Sequence, residues 1–123
     1  MTGRAGFGIE CLHEDGVGFV VLSGEIDLAA APDLHDVLLA EIGSGRRTVV
    51  DLDSVSFLDS SGLSVLVTAL RRARDGNGEL SLCSPSSFAI RAIELAGLDT
   101  VFRIFSSRAI AAAPVDEGES QIS

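Results

Sequence analysis

Regular alternation of short apolar runs with helical patterns is the feature that most constrains this fold. Two apolar runs come first, and Glu14-Asp15-Gly16 between them is a strong signal for a β-hairpin. After the hairpin the predicted order is strand, helix, strand, helix, strand, helix, strand. Such alternation predicts parallel strands joined by right-handed crossovers. We therefore expect a single α/β domain with a mainly parallel, four- to five-stranded sheet after an N-terminal hairpin.

Hydrophobic periodicity and turn residues place the individual elements. The predicted strands cover residues 7–13, 17–22, 48–53, 79–83 and 101–105, and a loop over 23–27 follows the second strand. Three predicted helices begin near residues 31, 61 and 86, and a last helical turn or two covers 106–113. In the third helix we expect Ile90, Ile93 and Phe88 to face the core. The domain is predicted over residues 5–113, with a disordered acidic tail over 114–123.

The composition argues for a folded protein outside the membrane. Of the 123 residues, 46% are hydrophobic, which is typical of a chain with a buried core. No apolar run approaches the ~18 residues that a membrane-spanning helix needs. The first residues also lack the apolar core of a signal peptide. We expect a cytoplasmic protein with no membrane contact.

The charge and the cysteine content argue against nucleic acids, metals and cofactors. The formal charge is −9 and every basic residue is arginine, whereas nucleic-acid binding needs clustered positive charge. Cys11 and Cys83 are too few and too scattered for a zinc site, and both are expected to be buried free thiols. We predict no direct nucleic-acid binding, no metal and no cofactor.

Polar loops follow two of the predicted parallel strands. Gly24-Glu25-Ile26-Asp27 leaves one strand, and Asp59-Ser60-Ser61-Gly62 leaves the next strand and opens a helix. In an open α/β sheet such loops meet at the carboxyl ends of the strands. If the strands are neighbours, Asp27 and Asp59 lie close to the serines. The free N–H groups and the positive dipole end of the helix favour negative charge there.

These serines allow four interpretations. A catalytic serine lacks the Gly-x-Ser-x-Gly spacing, and neither His13 nor His35 is placed to act as its base. A nucleotide site lacks a phosphate-binding loop and any lysine. A serine could instead accept a phosphate from a partner kinase, which would add about −1.5 to −2 charges without unfolding the helix. Asp59 and the serines could also simply cap the helix. The residues alone do not choose between Ser60 and Ser61.

A family resemblance rests on several of these segments. The segment from Val50-Asp51-Leu52 through Phe57-Leu58-Asp59-Ser60-Ser61-Gly62-Leu63 resembles the signature of the anti-sigma factor antagonists, in the STAS-domain family. Residues 22–27 are similar to the family's Leu-x-Gly-Glu-(Leu/Ile)-Asp loop. The strand at 79–83 and the Leu95-Ala96-Gly97-Leu98 turn also match. The resemblance covers about residues 7–110.

The resemblance implies a function and a set of site residues. It implies that a serine-kinase anti-sigma factor phosphorylates Ser61, that the unphosphorylated protein binds this kinase and frees the sigma factor, and that a serine phosphatase restores binding. Asp27, Asp59, Ser60, Ser61 and Gly62 are then expected to form the partner-binding surface. No residue is expected to be catalytic, and the protein is not expected to be an enzyme. The alternatives are a STAS-type scaffold or signalling module that does not act on a sigma factor, or a serine hydrolase or nucleotide-binding enzyme.

Overall fold

A computed structural model describes residues 2–4, 6–43 and 45–114. The strands in these residues are β1 (Thr2–Arg4), β2 (Phe7–Glu14), β3 (Val17–Ile26), β4 (Arg47–Leu58), β5 (Glu79–Cys83) and β6 (Ile104–Phe105). The helices are α1 (Ala31–Glu41), α2 (Ser60–Asp75), α3 (Ser87–Leu95) and α4 (Arg108–Ala112). None of the described helices is long and apolar enough to cross a membrane. Most of the predicted acidic tail, residues 115–123, lies outside the described residues.

The strands form a single sheet in sequence order, from β1 to β6. β1, β2 and β3 are antiparallel neighbours, whereas β3, β4, β5 and β6 run parallel. Each crossover moves the chain to the next strand in the same direction, so right-handed crossovers place α1, α2 and α3 on one face of the sheet. The predicted α/β class and the N-terminal hairpin are confirmed, and β1 adds an edge strand to the prediction.

The main core lies between the sheet and the first three helices. Alternate strand residues point to this face because side chains on a strand alternate with a period of two. The residues buried there include Val20, Leu22, Val50, Leu52, Leu80 and Leu82 from the strands and Leu34, Leu38, Leu66, Leu70 and Ile93 from the helices. The opposite face carries a smaller apolar cluster, in which Phe19, Val49 and Cys83 pack with Ala111 of α4.

Two arginines fasten α4 to this second face. Arg108 forms an ion pair with Asp51, whose side chain is 5% exposed, and its guanidinium carbon lies 5.9 Å from the centroid of the Phe19 ring. The hydrogen bond to Asp51 raises the pKa of Arg108. Arg47 donates hydrogen bonds to the carbonyl oxygens of residues 111–113 at the end of the helix.

Burial, followed by the charge of Asp51, raises the pKa of the Cys83 thiol to about 11.

Two strand boundaries differ from the prediction. β4 continues to Leu58 instead of ending at Asp53, and residues 23–26 extend β3 instead of forming a loop. The two strands pair along this extension with register shifts between Val21 and Ser23 and between Gly24 and Glu25. Such irregularities break the strict two-residue alternation by which a strand is recognised in a sequence. The polar residues of the extension therefore resembled a loop.

Three further predictions need correction. Phe88 is 59% exposed, and Ala89 takes the buried position in phase with Ile93. The last strand is limited to Ile104–Phe105, because the backbone N–H groups of residues 101 and 102 both donate to the Leu98 carbonyl in a turn. Both cysteines are free thiols, as expected, but Cys11 is half-buried rather than buried.

Candidate functional site

The carboxyl ends of β3 and β4 lie side by side. Ile26 pairs with Leu58 at the last register position, and the Asp59 N–H donates to the Ile26 carbonyl over 3.2 Å. Asp27 and Asp59 each follow directly after their strand. The structure therefore brings the two polar loops together on one edge of the sheet, as the topology predicts.

Asp59 is the N-cap of α2. Its Oδ1 atom accepts hydrogen bonds from the N–H groups of Ser61 at 2.9 Å and Gly62 at 3.2 Å. These are two of the donors that the first turn of a helix leaves unpaired. The capping interpretation of this aspartate is correct, and its side chain is half-buried at the edge of the sheet.

Asp27 organises the turn before α1 in a similar way. Its Oδ1 atom accepts from the N–H groups of Ala29 at 3.1 Å and Ala30 at 3.2 Å. Ala30, the formal N-cap of α1, has no side chain able to accept such bonds. Asp27 thus stabilises the turn of residues 28–30 that leads into α1, and its two bonds go to N–H groups that precede the helix.

The two serines are left without a capping role. Ser60 is exposed and Ser61 is half-buried on the first turn of α2. Within the described part of the chain, neither hydroxyl takes part in a hydrogen bond, because the Asp59 carboxylate does the capping. Both hydroxyl groups are therefore free for another interaction, and the geometry does not favour one serine over the other.

Gly62 allows the start of α2 to approach the strand ends closely. A Cβ atom at this position would lie 2.7 Å from Leu58 Cδ1, 2.8 Å from Ile26 Cγ2 and 3.1 Å from the Ile26 carbonyl oxygen. Because no real side chain fits such a space, this turn of helix requires glycine. Gly62 is buried, so it positions the neighbouring serines instead of offering a surface of its own.

Gly24 has a comparable role at the end of β3. Its φ angle is +80°, and an added Cβ would lie 1.9 Å from the Gly6 carbonyl oxygen. The same oxygen accepts a hydrogen bond from the Glu25 N–H at 2.6 Å. The family-like Gly-Glu-Ile-Asp segment therefore needs its glycine for backbone packing.

A groove that the sequence analysis missed begins at Ser60 and runs along α2. It has a volume of about 320 Å³, and Leu63, Val67 and Leu98 provide apolar parts of its wall. The full lining is Ser60, Leu63, Ser64, Val67, Thr68, Arg71, Ala96 and Leu98. Leu98 lies far along the chain from α2, so local sequence patterns carried no signal for the groove.

Two exposed apolar side chains also border the loops. Leu28, directly after Asp27, is 73% exposed, and Phe57, which pairs with Glu25 near the end of β4, is 41% exposed. In the sequence, these two exposed positions could have been recognised as large apolar residues next to the polar loops. Together with the groove they give the acidic edge of the sheet an apolar component, which is common at protein interaction sites.

The site has little resemblance to a hydrolase centre. His13 bonds to Glu41 at 2.8 Å and His35 bonds to Asp36 at 3.4 Å, and neither ring contacts Ser60 or Ser61. Over the described ranges no cluster of histidine, cysteine and acidic residues is arranged to hold a metal ion. The described residues therefore place neither histidine as a base for Ser60 or Ser61.

A known domain family covers most of this chain. The family model described as the STAS domain matches residues 9–111. The chain belongs to the STAS domain family. This match includes both polar loops, the groove and all the strands from β3 to β6.

Individual relatives carry a common name. The protein BtrV of Bordetella bronchiseptica, named an anti-sigma factor antagonist, is 33% identical over 100 residues, which are 80% of this chain and 86% of BtrV. The anti-sigma-B factor antagonist of Staphylococcus aureus is 31% identical over 97 residues, covering 78% of this chain and 90% of the relative. A crystal structure of an anti-sigma factor antagonist from Mycobacterium paratuberculosis superposes with a TM-score of 0.78 at 28% identity and covers 90% of this chain and 95% of the other.

Proposed function

We propose that this STAS domain is a cytoplasmic anti-sigma factor antagonist, a binding protein and not an enzyme. In its unphosphorylated form it binds a serine-kinase anti-sigma factor and releases the sigma factor. Phosphorylation of Ser61 by that kinase ends the binding, and a serine phosphatase restores it. Support comes from the names of two relatives that are more than 30% identical over most of the chain.

The observation that carries the switch is the unengaged Ser61 hydroxyl on the first turn of α2. Asp59 Oδ1 already occupies the N–H groups of Ser61 and Gly62, and the Leu63 N–H donates to the Asp59 carbonyl at 3.0 Å. A serine hydroxyl in this position can be modified without the loss of any hydrogen bond that holds the helix. The modification would therefore alter the surface and leave the fold intact.

The charges of the site explain why a phosphate would end binding. A phosphate on Ser61 adds about −1.5 to −2 charges beside Asp59, near the loop of Asp27. In the first turn of α2 it would find the Ser60 N–H as a remaining donor, since Asp59 holds the next two. The phosphate is thus poorly neutralised by the protein itself. A partner surface that complements the acidic edge would meet more negative charge and a larger group.

The docking surface that we propose combines this acidic edge with nearby apolar groups. Asp27, Asp59, Ser60 and Ser61 provide its polar part, and Gly62 holds the serines in place from below. The groove along α2 and the exposed Leu28 side chain provide apolar contacts. Arg71 lies at the far end of the groove from Ser60. The kinase should therefore present apolar side chains with polar groups around them.

The test is direct. The protein is incubated with its cognate kinase and ATP, and the modified residue is mapped by mass spectrometry. We expect phosphate on Ser61, no incorporation in Ser61→Ala, and phosphate still on Ser61 in the matched control Ser60→Ala. Kinase binding, measured by calorimetry, should be lost in the phosphorylated protein. Phosphate on another residue, or undiminished binding by the Ser61 phospho-form, would contradict the proposal.

One observation favours a second candidate. Asp59 has a complete structural role as the α2 cap, which a constitutive STAS scaffold without any sigma-factor partner would also need. Such a scaffold should bind its partner equally well after Ser61→Asp. An antagonist should lose most of its binding in this variant and keep it in Ser87→Asp, which adds the same charge to the first turn of α3, outside the groove.

A further inference from the structure

The groove along α2 ends at a positive charge on the side away from the serine loop. Its α2 wall runs from Ser60 through Val67 to Arg71, and the opposite wall is formed by Ala96 and Leu98. Spacings of seven and four residues place the α2 residues on one face of the helix. Ser60 and Arg71 are separated by about 16 Å, or three turns, along the helix axis. Arg71 is the only charged residue among the described residues that line the groove.

The Arg71 guanidinium has no ion-pair partner in the described part of the chain. Asp75 follows one turn later on α2, and Glu94 and Asp99 stand on either side of the opposite wall in the sequence. All three acids are exposed, and none of them forms an ion pair with Arg71. The arginine itself is exposed, so water solvates its charge in the free protein.

A molecule that fills the apolar part of the groove takes some of this water away from Arg71. A charged group that loses water without gaining a partner raises the free energy of the complex. A carboxylate is the best replacement for the water, because its two oxygens match the planar guanidinium with parallel hydrogen bonds. We therefore expect a molecule that binds along the groove to carry an acidic group at this end.

We propose that Arg71 pairs with an aspartate or glutamate in the segment of the kinase that occupies the groove, and that this pair fixes the direction in which the segment binds. The inference rests on the proposed function, because the occupant is the serine-kinase anti-sigma factor. At the Ser60 end the segment meets Asp59, whose Oδ2 atom has no partner among the described residues and accepts hydrogen bonds. Donors at one end of the segment and an acid at the other make the reverse direction unfavourable.

The contact at Arg71 is separate from the switch at Ser61. The two residues are about 15 Å apart along α2, which is more than the Debye length of about 8 Å at physiological ionic strength. Arg71 is thus too far away to neutralise a phosphate on Ser61. Substitution of Arg71 should weaken the binding of the unphosphorylated protein, and phosphorylation of Ser61 should still end the binding that remains.

Calorimetry with the kinase that phosphorylates Ser61 tests the pair. Arg71→Gln should weaken binding about tenfold, since one partner of a charge-assisted contact is removed. The matched control is Arg72→Gln, which removes the same charge from an exposed neighbour that lines a different cavity with Leu39 and Ile42. The control should bind as tightly as the wild type. Equal weakening in both variants would show a general charge effect and overturn the proposal.

Cross-linking identifies the chemistry of the partner group. The chain contains no lysine, so Arg71→Lys introduces a single side-chain amine at the end of the groove. A water-soluble carbodiimide joins an amine only to a carboxylate in direct contact with it. Mass spectrometry should find position 71 joined to an aspartate or glutamate of the kinase, and no such product with Arg72→Lys. A missing product at position 71, or equal products from both positions, would overturn the proposal.

The failure of this inference differs from the failure of the proposed function. A wild-type protein that does not bind the kinase would overturn both. If the wild type binds and phosphorylation of Ser61 ends the binding, while Arg71→Gln binds as tightly as the wild type, only the role of Arg71 is overturned. The urea midpoint of each variant, which should equal that of the wild type, shows that the fold is unchanged.

Discussion

The starts of α1 and α2 both use an aspartate to bind backbone N–H groups, but the two aspartates occupy different positions relative to their helix. Each helix follows a parallel strand, and each uses one oxygen of an aspartate to bind two backbone N–H groups. In α2 the aspartate is the N-cap itself, and Gly62, which has no side chain, lets the first turn pack closely against β3 and β4. In α1 the aspartate stands three residues before the cap, and the intervening loop exposes Leu28.

This difference makes the start of α2 a rigid element and the start of α1 a more exposed one. The start of α2 is tightly packed, so the serines are held at a defined place on the surface. The turn before α1 buries Ala30 but exposes Leu28 and Ala29, so these two side chains can contribute contacts at little cost to the fold. Substitutions in the two helix starts should therefore affect stability very differently.

The largest effect is expected from Gly62→Val. The added side chain would overlap Leu58 and the Ile26 carbonyl oxygen, and the first turn of α2 would have to move. We expect a loss of about 3 kcal/mol in the free energy of unfolding, typical of an overpacked buried site. Urea denaturation measures it. Ser64→Val, at an exposed position of the same helix, is the control, and equal losses in both variants would contradict the role of Gly62.

Removal of the α2 cap should have the next largest effect. Asp59→Ala leaves the N–H groups of Ser61 and Gly62 without their acceptor and should cost about 1 to 2 kcal/mol. Asp59→Asn keeps an acceptor and removes the charge, so it should retain most of the stability.

Comparison of Asp59→Ala with Asp59→Asn also separates the effect of Asp59 on stability from its effect on kinase binding. If the Asp59 charge takes part in docking, Asp59→Asn should bind the kinase more weakly while its urea midpoint stays near that of the wild type. Equal kinase binding by Asp59→Asn and the wild type would remove this charge from the docking surface.

A smaller effect is expected at the other helix start. Asp27→Ala removes two hydrogen bonds, but the Ala30 N–H retains the Asp27 carbonyl as an acceptor at 3.0 Å, and Ala29 is exposed to water. The loss should be about 0.5 kcal/mol, at the low end for a hydrogen bond. A urea midpoint that falls as far as that of Asp59→Ala would show that the two helix starts are equally rigid.

The smallest effect on stability is expected from Leu28→Ser. The side chain is largely in water already, so the free energy of unfolding should change by less than about 0.5 kcal/mol. Kinase binding should nevertheless weaken severalfold if Leu28 is part of the docking surface. Calorimetry on this variant and on Leu95→Ser, an exposed leucine of α3, makes the comparison. Equal binding by the two variants would exclude Leu28 from the surface.

Local patterns were sufficient for the order of the predicted elements and for the meeting of the two polar loops at one edge of the sheet. The apolar runs, the hairpin turn and Asp59 before α2 are short-range signals, and the predicted elements appear in the predicted order, although several strand ends differ and β1 is additional. The orientation of α3 was also available, because Phe88 and Ile93 are five residues apart and thus about 140° apart around a helix. Ala89, four residues before Ile93, is the residue in phase with it.

Other features depend on contacts that local patterns do not encode. The shifts of register between β3 and β4 arise from pairing between strands more than twenty residues apart, so the extension of β3 over residues 23–26 resembled a loop. The groove forms only because Leu98 lies beside α2 in the fold. Gly24 approaches Gly6 closely because β2 and β3 pair as antiparallel strands. The choice of Ser61 over Ser60 came from family resemblance and not from the geometry of either residue.

Asp59 uses Oδ1 for both of its helix contacts, which leaves Oδ2 with no partner among the described residues. The same side chain can therefore cap α2 through Oδ1 and offer Oδ2 to a binding partner, with no change of conformation between the two interactions. Structure and recognition then depend on a single carboxylate. Few substitutions satisfy both demands: asparagine preserves an inward acceptor but loses the charge, and glutamate preserves the charge but moves it by one methylene.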